Sequence, residues 1–115
     1  VTYDLYAELG QKRTELDLCI RSLRTSGTAF AEAERAYKVE LRKTCLRLRD
    51  EGMAIGMIDK VCYGEQSVAD LRFRRDVAET VYKANLEAIN SIKLHLRLIE
   101  NQIGREWTTP EGGGL

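Results

Sequence analysis

The chain has 115 residues, 43% hydrophobic and 31% charged, with one proline and a formal net charge of zero. The length argues for one domain with a modest core, and the composition argues against a disordered chain or a β-sandwich. Charge balance excludes a global field toward nucleic acid, membrane or acidic substrate, so any such affinity must come from local patches.

The spacing predicts a first helix, A, over residues 3–24. Its core slots at 5, 9, 12, 16, 19 and 23 alternate by four and three, and carry Leu5, Leu9, Leu16, Cys19 and Leu23, with Lys12 the exception. The segment "RTSGT" is expected to end it, with Gly27 free to take positive φ and Thr28 capping the next helix. Helix B is expected over 29–51, with Phe30, Ala33, Tyr37, Leu41, Cys45 and Leu48 on one stripe.

Gly52, Gly56 and Gly64 bound a connector, one or two helical turns long, whose Met53, Ile55, Met57, Ile58, Val61 and Cys62 read as an apolar plug over the end of the core. A DNA-reading helix-turn-helix is the competing reading of this stretch. It wants apolar residues just before the turn glycine and four positions earlier. Gly52 offers Glu51 and Arg47 there, and Gly64 offers Tyr63 but Asp59, so neither register fits. Helix C is expected over 65–107, with slots at 71, 75, 78, 82, 85, 89, 92, 96, 99 and 103 that are apolar except for Arg75 and Asn85.

The expected fold is therefore all-α: an antiparallel helical hairpin plus a long third helix, a three-helix coiled-coil-like bundle forming a single domain over 1–108, with a disordered tail at 109–115. A turn near residue 26 would set Leu16 beside Tyr37, Leu5 beside Leu48, and Cys45 beside Ala7. Helix C would then outrun its neighbours by about 25–30 Å at ~1.5 Å per residue. Its overhang carries Ile92, Leu94, Leu96, Leu98, Ile99, Ile103 and Trp107, an apolar surface of the kind that marks an interface. With Asn85 in a core slot to set register, these residues predict a homo-oligomer, a dimer first.

Catalytic chemistry finds no constellation. The single histidine, His95, has no partner in sequence, and Cys19, Cys45 and Cys62 are scattered, with no C-x-x-C. No phosphate loop, G-x-S-x-G or H-E-x-x-H occurs. The expectation is a non-enzyme without metal or cofactor. Odd, dispersed cysteines fit a reducing compartment. No apolar run reaches the ~18 residues of a membrane span, and no signal pattern opens the chain, so a cytoplasmic protein is expected.

One local excess is basic. "LRKTCLRLR" holds Arg42, Lys43, Arg47 and Arg49, and "LRFRR" adds Arg72, Arg74 and Arg75. Antiparallel packing of helices B and C would gather both runs at one end, where they could hold nucleic-acid phosphates. A solvated face balanced by Asp50, Glu51, Asp70 and Asp76 is the plainer reading.

"AFAEAERAYKVELRKTCLRLRDEG", "VCYGEQSVADLRFRRDVAETVYKANLEAI" and the terminal "REW" resemble small uncharacterised helical proteins of temperate phages and prophages of Gram-positive bacteria, often encoded near single-strand annealing, recombination and replication genes. The resemblance covers roughly residues 28–107 and rests on Ala33-Glu34, Tyr37, Gly52, Gly64, Val68-Ala69, Arg75-Asp76, Ala78-Glu79 and Tyr82. It implies phage origin and an accessory role, and it supplies no site residues. The leading expectation is a non-enzymatic accessory protein of phage DNA replication or recombination in the host cytoplasm, acting through contacts with host or phage protein and a basic nucleic-acid patch. An anti-defence factor that binds a host immune protein or sequesters a nucleotide signal, and a structural or assembly protein, stay open beside it.

Overall fold

A computed structural model describes residues 2–108, and within them the chain is all-α. Helix α1 spans Thr2–Asp50, α2 spans Ile55–Val61 and runs into a 3-10 turn at Cys62–Gly64, and α3 spans Gln66–Thr108. The expected tail at 109–115 lies outside the described residues.

Helices A and B are one helix. The "RTSGT" segment does not turn the chain, because its small residues are what the partner helix packs on. A Cβ on Gly27 would meet the Tyr82 ring at 3.3 Å, and that ring also lies 5.9 Å from the Phe30 ring, centroid to centroid. Ser26 is buried. Thr28 caps nothing; its hydroxyl donates to the Arg24 carbonyl one turn back, at 3.0 Å. Glycine in a helix interior costs about 1 kcal/mol relative to alanine, and here the bare backbone gives room to a tyrosine. The stop comes where Gly52 takes φ +92°. Its N–H donates to the Arg49 carbonyl at 3.0 Å and that of Met53 to the Leu48 carbonyl at 3.1 Å, and Met53 packs on Leu48's cluster. This is the Schellman closure of a helix.

The described chain divides into two compact units, each built from a segment of both long helices: residues 2–23 with 84–108, and residues 24–83. In each, α1 and α3 run antiparallel. In unit 1, Ser22 meets Asn85 and Tyr6 meets Trp107. In unit 2, Phe30 meets Tyr82 and Arg47 meets Glu65.

Unit 1 has a Leu/Ile seam. Leu5 and Leu9 of α1 bury against Ile92, Leu96, Ile99 and Ile103 of α3, with Leu16 and Cys19 packed alongside. This corrects the expected pairings: Leu5 clusters with α3, while Leu48 belongs to unit 2. Ile92, Leu96, Ile99 and Ile103, read as part of an overhang, are covered by their own chain. Asn85 donates from Nδ2 to the Ser22 carbonyl at 3.3 Å, tying α3 to α1. Of the apolar residues expected at an interface, Leu94, Leu98 and Trp107 are exposed.

Unit 2 ends in a plug. Ile58 and Cys62 bury with Leu48, flanked by Leu41, Cys45, Met53 and Val61. Ile55 and Met57, also expected in the plug, point outward at 69% and 50% exposure. A helix of seven residues followed at once by a 3-10 turn cannot fill both faces. The connector is a joint that folds back on α1.

Candidate nucleic-acid interface

Unit 2 holds the basic excess: 12 basic residues to 10 acidic, against 6 to 7 in the described part of unit 1. The structure divides the seven sequence-predicted cations into three groups by what surrounds them.

Arg47 points to the joint. Its guanidinium bonds Glu51 at 2.7 Å and Glu65 at 3.1 Å, carboxylates that raise its pKa above the usual arginine value. Arg75 lies in the α1–α3 contact, bonding Glu34 at 3.0 Å and Asp76 at 2.8 Å and standing 4.7 Å over the buried Tyr37 ring. Glu34 and then Asp76 raise its pKa as well. The core slot found in sequence for Arg75 is thus a structural one: the stem packs and the head is neutralised. Both residues are engaged in intrachain ion pairs.

Lys43 and Arg74 are exposed and line no groove described here. Arg42, Arg49 and Arg72 remain, and the structure adds two residues to them. Lys38, Arg42, Cys45 and Arg49 follow one another at intervals of four, three and four, which sets them on one face of α1. Lys38 and Arg42 line a groove with Tyr37, Leu41, Cys45 and Tyr63. An adjoining groove shares Arg42 and Cys45 and is completed by Leu46, Arg49, Ile55, Ile58 and Asp59. Tyr63 is 45% exposed, and the Arg72 guanidinium stands 5.6 Å over its ring. No ion pair ties Lys38, Arg42, Arg49 or Arg72 to a carboxylate among the described residues. The result is an open, cationic groove with an exposed aromatic ring at its wall.

Sequence reasoning passed over Lys38 and Tyr63. The first was legible as the residue one turn before Arg42; the second depends on how the connector folds back, which periodicity does not encode.

Cys45 forms part of the groove lining and packs in the same apolar cluster as the buried Cys62. Cys62 also donates weakly to the Asp59 carbonyl at 3.8 Å. Burial, then its neighbour Cys45, pushes the Cys62 thiol up from its ordinary pKa. The expected pairing of Cys45 with the region of Ala7 is overturned, since it followed from a turn at residue 26 that does not exist. His95 is exposed, and no group of three metal-ligating side chains occurs among the described residues. No described helix is long and apolar enough to cross a membrane.

No protein-family model, no curated protein and no solved structure matches this chain.

Proposed function

We propose that this chain is a non-catalytic binding module whose unit 2 holds the backbone of single-stranded nucleic acid, as an accessory protein of phage DNA replication or recombination. The observation that carries the reading is the pairing of unneutralised cations with an exposed ring: Lys38, Arg42 and Arg49 on one face of α1, beside Tyr63 under Arg72. Cations supply the sequence-independent affinity for phosphates, and a tyrosine face stacks a base of any identity, which a duplex does not present.

The test is a titration of labelled single and double strands at two ionic strengths. The parent should prefer the single strand and weaken steeply with salt. Arg42→Ala with Arg49→Ala should reduce the salt slope by about 1.4, at ~0.7 per lost contact to a single strand. Tyr63→Ala should cost about 1–3 kcal/mol of binding. Absence of binding at low salt ends this reading. In that case the second groove favours another: Leu46 and Ile55 are exposed apolar residues beside Arg42 and Arg49, a surface suited to an acidic, apolar segment of a host or phage protein, as an anti-defence factor would need.

A further inference from the structure

The cysteines were expected to be scattered, yet two of the three belong to one apolar cluster. Cys45 comes from α1 and Cys62 from the 3-10 turn, 17 positions later, and both belong to one apolar cluster with Leu48 and Ile58. Their environments differ. Cys45 is half-buried and lines both grooves, so a solute reaches it. Cys62 is 1% exposed and lines neither groove. Cys19 packs in the other unit's seam.

We propose that Cys45 and Cys62 are a modification site, a dithiol that a small anionic disulfide of the oxidised-glutathione class converts to an intrachain disulfide joining the 3-10 turn to α1. Arg42 and Arg49 border Cys45 in the groove and favour approach of a disulfide that carries carboxylates. The Cys45 thiolate attacks one sulfur of the incoming disulfide. A new sulfur–sulfur bond forms, the old one breaks, and one glutathione thiolate leaves and takes a proton. Cys62, having lost its proton to solvent, attacks the Cys45 sulfur. The Cys45–glutathione bond breaks as the Cys45–Cys62 bond forms, and the second glutathione leaves. Two protein thiols are oxidised and one small disulfide is reduced to two thiols, so electrons balance without another oxidant. The second step is the slow one, because burial holds Cys62 in its thiol form. Closing the sulfurs to the bond length of about 2.05 Å calls on the joint, whose turn is three residues long.

The site is independent of what the groove binds. Its test is the full chain incubated with oxidised glutathione, quenched by alkylation and mapped by mass spectrometry without reduction. The expected product is a linked Cys45–Cys62 peptide pair, lighter by two hydrogens, formed after a transient glutathione adduct on Cys45, with a thermal midpoint raised and restored by dithiothreitol. Cys62→Ala should trap the adduct on Cys45. Cys45→Ala should leave Cys62 unmodified, so that either variant tests the order if the other fails to fold. The proposal is overturned if both cysteines are recovered alkylated, if the parent keeps a lasting adduct on Cys45, or if Cys45 joins Cys19 or a second chain instead. It is also overturned if Cys62 takes up glutathione in Cys45→Ala as fast as Cys45 does in the parent.

Discussion

The same two helices make two different contacts. In unit 1 they meet through aliphatic side chains, Leu5 and Leu9 against Ile92, Leu96, Ile99 and Ile103. In unit 2 they meet through a glycine under a tyrosine, an arginine between two carboxylates and a ring, and a plug folded back from the connector. An aliphatic seam tolerates little variety of partner but needs no polar satisfaction. A polar, aromatic contact must satisfy each group, and unit 2 carries two more basic than acidic residues, 12 to 10. The surplus that could serve a ligand therefore arises in the unit whose packing already uses arginine.

Three sets of substitutions probe that contrast. The largest effect is expected from Ile99→Glu with Ile103→Glu in unit 1. Each buried carboxylate costs about 2–4 kcal/mol, so together they take up a small domain's margin of about 5 kcal/mol. Helical circular dichroism should fall at any protein concentration. Intact helicity with only a loss of mass on a sizing column would instead make these residues a seam between chains.

In unit 2, Ile58→Asp should cost about 2–4 kcal/mol by the same burial argument, while Ile55→Asp, three residues earlier and outward, should stay within about 0.5 kcal/mol. Urea midpoints decide it. Equal midpoints would mean the plug does not close the unit.

The smallest effects separate the units most finely. A Cβ at Gly10 in unit 1 meets nothing within 4 Å, whereas one at Gly27 in unit 2 meets Tyr82 at 3.3 Å. Gly10→Ala should add about 0.5–1 kcal/mol, and Gly27→Ala should gain less, because the ring must yield. Gly52→Ala should lose about 1 kcal/mol at its positive φ. Thermal midpoints rank the three; an equal gain at positions 10 and 27 would show that the tyrosine contact does not shape the helix.

Every core slot read from periodicity is turned inward: all ten along α3 are buried or half-buried, as are the twelve along α1. What periodicity did not convey was which stripe faces which. The signal for a single helix was present. From Leu23 the next slots fall three and seven residues on, at Ser26 and Phe30, so the stripe passes through "RTSGT" in phase. A true turn would have reset it. Composition suggested a break because serine, glycine and threonine favour turns in isolation; packing reversed that preference. The candidate groove was half legible. Arg42 and Arg49 stand out as charge, but the neutralisation of Arg47 and Arg75 depends on Glu65 and Glu34, which only the hairpin brings near.

Trp107 is the only tryptophan in the chain, and its indole N–H donates to the Tyr6 hydroxyl at 3.1 Å. That single bond gives the molecule an optical label of its own, placed in unit 1 and absent from unit 2. Its emission, excited directly or by transfer from Tyr6, follows separation of the first turns of α1 from the last turns of α3. Far-ultraviolet dichroism averages the helices of both units. The two signals recorded on one denaturation therefore ask whether the contrasting contacts melt as one cooperative body or in sequence, with no dye attached and no residue changed.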